Sequence, residues 1–140
     1  MIDLSNCDAL RRATRRVTQL YDRLLAPLGL RVTQYSLLYE VEQLEPISLI
    51  SLAAAMVMDR STLGRNIRPL EIDGYLAMSV GRDRRSKEVS LTESGRKILA
   101  EAEQLWGHAQ AIFEAEIGLE EAEGLRSVLK RVAASKFDHV

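Results

Sequence analysis

Apolar residues recur along this chain with two different periods. From the start, Leu10, Ala13, Val17, Leu20 or Tyr21, Leu24 and Leu28 fall at helical spacing, while Arg11, Arg12, Arg15 and Arg16 turn elsewhere. Pro27 and Gly29 in "LAPLGL" close this first helix. Thr33 is the expected cap of a second helix carrying Leu37, Leu38, Val41 and Leu44. Ser48 can cap a short third, "LISLAAAM", and Asp59 a fourth that runs to about position 73, where Gly74 offers a stop. The period then drops to two. "LAMSV" alternates Leu76, Met78 and Val80, and "KEVSL" alternates Lys87, Val89 and Leu91, with a glycine-opened turn between them. Thr92 caps a long helix over 93–117, Gly118 interrupts it, and a last helix covers roughly 120–134.

This order, four helices, a hairpin and two more helices, predicts a mainly α fold with a small β-hairpin wing. A short helix, a tight turn, a second helix and a basic hairpin make a winged helix-turn-helix, a module that reads DNA. The chain of 140 residues reads as one domain. Within it, 33–91 is the expected DNA-binding part, and 1–30 with 93–140 the helical dimerisation part.

Charge sharpens this picture. The formal net charge is only −1, yet nine Lys or Arg fall between positions 60 and 97, where they outnumber the acids. From position 98 to the end, four basic residues face eight acidic ones. The positive charge is therefore local, as expected of an electrostatic footprint for a polyanion. Its densest point is the hairpin turn, "GRDRRSK". No apolar run is long enough to span a membrane, and the single cysteine cannot form an internal disulfide, so a cytoplasmic protein is expected.

Two elements carry the candidate DNA contacts. In "DRSTLGRNIRPLEIDG", Leu63, Ile67 and Leu70 share one helix face, and Ser61, Arg65 and Arg68 the other, with Thr62 on its flank. Short hydroxyls can approach base edges closely, and an arginine can pair with guanine O6 and N7. Pro69 predicts a bend in this helix, with termination at Arg68 as the alternative. The wing supplies Arg82, Arg84, Arg85 and Lys87, narrow enough at the tip for the negative potential of a minor groove. Asp83 is the expected wing stabiliser, pairing with an arginine to hold the turn.

"VTQYSLL", "LAAAMVMDRSTLGRNIRPLEIDGYL" and "DRRSKEVSLTESGRK" together resemble the successive signatures of MarR-type transcriptional regulators, across almost the whole chain. The resemblance implies a homodimer on a palindromic double-stranded operator, most often as a repressor released by a chemical signal. It also implies that the arginine matching Arg85 reaches the minor groove, and that positions matching Ser61, Thr62 and Arg65 face the major groove. Leu99, Leu105, Ile112, Phe113, Leu125, Val128, Leu129 and Val132 are the expected interface residues. Val57 departs from the pattern, because the family often has glycine between the two helices.

Two kinds of signal are open. "NCDALRRATRRVTQLYDRLL" resembles the hydroperoxide-sensing OhrR branch, in which Cys7 would be the sensor and Tyr21 of a partner subunit its neighbour. A thiol at a helix N-terminus near arginines is favoured as thiolate and reacts readily with peroxide. That branch has a second tyrosine where this chain has Val32. The other signal is a small aromatic ligand between platform and winged helix, with Trp106, Tyr35, Tyr39 and Tyr75 as candidate lining or simply as core. His108, His139 and Cys7 show no metal-ligand spacing, and no cofactor is expected. No phosphate loop, paired nucleophile and base, or carboxylate cluster suggests an enzyme. The alternative function is a winged helix docking on an acidic protein partner without sequence-specific DNA binding; nonspecific DNA binding is a third.

Overall fold

In the computed structural model, which describes residues 5–83 and 85–138, helices α1 (Asn6–Leu25), α2 (Val32–Leu44), α3 (Leu49–Ala55) and α4 (Arg60–Ile72) precede the hairpin. Its strands are β2 (Leu76–Val80) and β3 (Lys87–Leu91), and a two-residue strand β1 (Ile47–Ser48) lies before α3. Helices α5 (Glu93–Ile117) and α6 (Leu119–Ala134) complete the chain, and a short 3-10 turn over Ala26–Leu28 ends at Gly29 in the left-handed region, φ 70°. The sheet is antiparallel in the order β1-β3-β2, with Ile47 opposite Val89 and Leu76 opposite Leu91.

Local chemistry explains most of these boundaries. Ser5, Ser48, Asp59 and Thr92 each accept a backbone N–H from the first turn of the helix they precede. Gly74 takes φ 81° just past the end of α4, as a helix stop requires. The second helix begins earlier than expected. Its N-cap is Arg31, not Thr33, because the side chain of Asp22 in α1 accepts the Val32 N–H at 2.7 Å and the Gln34 side chain accepts the Arg31 N–H at 2.9 Å. Helix α4 continues through Pro69 to Ile72, so termination at Arg68 does not occur.

The core gathers Leu37, Leu38 and Val41 of α2, Leu52 of α3, Leu63 and Leu70 of α4, Val89 of β3 and Leu99 of α5. Leu99 is fully buried in its own subunit, which removes it from the expected interface residues. Helix α6 differs: Ala122 is its buried residue, while Leu125, Val128, Leu129 and Val132 stay exposed.

The turn between α3 and α4 carries strain. Val57 sits at φ 54°, where Cβ crowds the following carbonyl, and its side chain is 71% exposed, so no packing offsets the cost. A β-branched residue there costs about 1–2 kcal/mol, and glycine would forfeit part of that through its freer unfolded state. We expect Val57→Gly to raise stability by about 1 kcal/mol, seen as a Tm higher by about 3 °C. A Tm that stays level or falls would remove the strain from this turn.

Candidate nucleic-acid interface

Helix α4 is held by its apolar face and presents the other. Leu63, Ile67 and Leu70 are buried; Ser61, Arg65 and Arg68 are exposed, and Thr62 is half-buried. At its start the Asp59 carboxylate accepts the Thr62 N–H at 2.7 Å and the Ser61 hydroxyl at 2.9 Å. These bonds, the backbone one first, hold the Asp59 carboxyl below its ordinary range. The resulting stabilisation is present above the unfolded carboxyl's range and is lost as pH falls through the lowered value. The Ser61 proton is thus engaged here, which leaves its oxygen free to accept. The Arg65 guanidinium donates to Thr62 Oγ1 at 3.3 Å, which keeps it over the first turns of the helix.

The wing is closed by its own backbone. The Gly81 N–H donates to the Ser86 carbonyl at 3.0 Å, and the Ser86 N–H and hydroxyl both donate to the Asp83 carbonyl. A Cβ on Gly81 would meet Ser86 Oγ at 2.6 Å, a contact that a rotation of the serine side chain relieves. Asp83, expected to pair with an arginine side chain, meets the backbone of the turn here. Its carboxylate accepts the Arg85 backbone N–H at 3.0 Å and makes no ion pair among the described residues. This leaves the Arg85 side chain exposed, beside exposed Arg82 and Lys87. Arg84 lies outside the described residues.

At the base of the wing, Thr92 acts as a rivet. Its hydroxyl donates to the Gly74 carbonyl at 2.6 Å and accepts the Gly95 N–H at 2.9 Å, while its own N–H donates to the Tyr75 carbonyl. Gly95 presses so closely on Tyr75 that any Cβ would strike its carbonyl. The "LTESG" stretch therefore welds α5 to the junction of α4 and β2.

Trp106, Tyr35, Tyr39 and Tyr75 line neither of the two clefts described below. Tyr35 stacks on Trp106 with centroids 4.1 Å apart, and Tyr21 meets the same indole edge-on at 4.5 Å. They knit α1, α2 and α5 together. Burial, with Glu103, Tyr39 and Glu42 nearby, pushes the Tyr35 phenol up to about 12. Two clefts lie elsewhere. One, of about 330 Å³, runs between α1, α5 and α6, lined by Tyr21, Phe113, Leu125 and Leu129 with Glu114 and Arg126. Burial first, then Glu114, raises the Tyr21 phenol, and Arg126 opposes them. The other, of about 410 Å³, lies between α1, the start of α2 and α4, and includes Asp22, Arg31, Thr33, Arg65, Asn66 and Pro69. Sequence reasoning missed Asp22, Arg31 and Asn66, because no local pattern marks a cleft between distant helices.

Cys7 is exposed in the first turn of α1, and Tyr21 lies on the same helix. Fourteen helical residues span about 21 Å, so the two do not meet within one chain. Among the described residues no group of three His, Cys, Asp or Glu is arranged to hold a metal, and His139 lies outside them. No helix of the described residues is long and apolar enough to cross a membrane.

A basic hairpin beside a helix with an exposed arginine face, on a helix-turn-helix body, defines a winged-helix protein. The sequence profile of the MarR family matches residues 30–87. The fold is similar to that of the transcriptional regulator MosR of M. tuberculosis in complex with DNA, at 34% identity and a TM-score of 0.84, over 93% of this chain and 94% of that one. It is also similar to the repressor CouR bound to a 23-mer DNA duplex, at 26% identity and a TM-score of 0.85 over 92% of each chain. CouR from Rhodococcus jostii RHA1 bound to p-coumaroyl-CoA matches at 25% identity and a TM-score of 0.81, over 95% of this chain and 94% of that one. The chain belongs to the MarR family of transcriptional regulators.

Proposed function

We propose that this protein is a homodimeric repressor that binds a palindromic operator and is released by a chemical signal. The observation that carries this reading is the joint exposure of Arg65 and Arg68 on α4 and of Arg82, Arg85 and Lys87 on the wing. DNA-bound relatives with the same fold support it. In this reading Ser61, Thr62, Arg65 and Arg68 face the major groove, and the wing, Arg84 included, enters the minor groove. A protein-docking wing would leave the arginines of α4 without a purpose. The protein works in the cytoplasm and as a regulator, without catalysis.

Residues 33–91 form the reading head, and 1–30 with 93–140 the dimer platform. The uncovered apolar face of α6 supports a second copy as its cover, since Leu125, Val128, Leu129 and Val132 otherwise remain in water. Two-fold symmetry then sets paired α4 helices about 34 Å apart, one turn of DNA. The signal is a small ligand in the cleft beside Arg65, where its occupation would compete with DNA, or oxidation at Cys7. In the latter, the thiolate attacks the peroxide oxygen, giving a sulfenic acid and releasing an alcohol.

The test is anisotropy with a labelled duplex from upstream of the protein's own gene, across a salt series. Arg85→Ala should weaken binding about tenfold and make the salt slope shallower by about one, because a groove or phosphate contact is lost. Unchanged affinity and slope would sink the wing assignment. In a second arm, organic hydroperoxide should abolish binding only while Cys7 is present. Indifference to peroxide, matched by a Cys7→Ser variant, would leave the ligand as the signal.

A further inference from the structure

A polar contact at the wing's base serves neither the α4 face nor the wing tip. Glu45 ends α2, its N–H turned back to the Val41 carbonyl at 2.8 Å, and the following Pro46 has no N–H. Strand β1 therefore starts only at Ile47. The register that sets Ile47 opposite Val89 and Ser48 opposite Glu88, extended two places, brings Glu45 opposite Leu91. There the side chain takes over from the backbone. Glu45 Oε1 accepts the Leu91 N–H at 3.3 Å and the Arg96 guanidinium at 2.6 Å. One carboxylate, its side chain only 16% exposed, thus joins the end of α2, the last residue of β3 and the first turn of α5.

The position matters because of leverage. Strand β1 pairs only with Glu88 and Val89, so beyond them the hairpin projects on its own two strands. From Leu91 to Arg85 is six residues, about 20 Å of extended chain. A tilt of about 10° at the base moves the tip by about 3 Å, enough to break a hydrogen bond there. Arg96 is half-exposed, so the ion pair itself adds only modestly to stability, and what the contact fixes is the attitude of the strand it holds.

We propose that Glu45 and Arg96 are positioning residues for DNA binding, setting the wing's attitude so that Arg82 and Arg85 meet the DNA when α4 is seated. The proposal rests on reading the wing as a DNA contact. Neither residue touches DNA; each acts through the base of β3.

The experiment is a mutant cycle on the intact protein with the same labelled duplex, comparing Glu45→Ala, Arg85→Ala and the double variant across a salt series. Glu45→Ala should weaken binding about tenfold and make the slope shallower by about one, with a Tm drop of about 3 °C for the lost Leu91 bond. The double variant should fall well short of the product of the single losses, because a displaced wing has little left for Arg85 to contribute. Glu45→Gln keeps an oxygen for the Leu91 N–H and should fall between wild type and Glu45→Ala; it decides the matter if Glu45→Ala unfolds. Losses that multiply, or a Glu45→Ala that leaves affinity and slope intact while Arg85→Ala does not, overturn the proposal and spare the wing. An inert Arg85→Ala removes the wing contact itself, and this proposal with it.

Discussion

Arg65→Ala is expected to cost about 1–3 kcal/mol on the operator, roughly 5- to 150-fold in affinity, and almost nothing on random duplex. Arg65 stands on the exposed face of α4, opposite Leu63, Ile67 and Leu70, which fix the helix on the core. Its bond to Thr62 Oγ1 holds the guanidinium over the half of the helix nearest the N-terminus, the end that faces the major groove in the proposed complex. A guanidinium has five donors in a planar fork, so one bond to Thr62 leaves enough for a bidentate pair with guanine. Truncation removes that discrimination and leaves the wing contacts in place. Competition anisotropy with operator and random duplexes measures both terms together. Equal losses on the two DNAs would reassign Arg65 to a phosphate.

Gly95→Ala should lower stability by about 2 kcal/mol, a Tm drop of about 6 °C. In an open helix, alanine would be the better residue by about 1 kcal/mol. Here Gly95 is buried and its new Cβ would strike the Tyr75 backbone carbonyl, which no rotamer change can relieve. That carbonyl already accepts the Thr92 N–H, and the neighbouring Gly74 carbonyl accepts the Thr92 hydroxyl. Relief therefore means pulling α5 off the junction of α4 and β2. Thermal denaturation followed by circular dichroism reads the change, and a Tm that rises would show that α5 does not press on Tyr75 in solution.

Both residues were visible in the sequence, for different reasons. Arg65 follows from helical period alone, since the buried positions of α4 fix which side chains face out. Gly95 stood inside a recognisable "LTESG" stretch, but its need for glycine comes from a strand junction twenty residues earlier in the chain. Asp83 was expected to pair with an arginine side chain, because a carboxylate among arginines suggests an ion pair; among the described residues the turn geometry gives it the Arg85 backbone N–H. Trp106, Tyr35, Tyr39 and Tyr75 were open between ligand lining and core, and burial with stacking on Trp106 makes Tyr35 core.

What the sequence determined by itself is whatever depends on neighbours within a few residues: the caps at Ser48, Asp59 and Thr92, the stop at Gly74, and the strands at 76–80 and 87–91. Their periodicity and cap chemistry act over one turn or one strand, so they can be read in order along the chain. Only the tertiary structure decided what joins distant segments. Asp22 starts α2 from across α1, a two-residue β1 pairs with β3 though it is too short to show a period, and Glu45 reaches Leu91 and Arg96. Those contacts form because the core brings α2, β3 and α5 together, and no local pattern marks which side chains will then be within a hydrogen bond of one another.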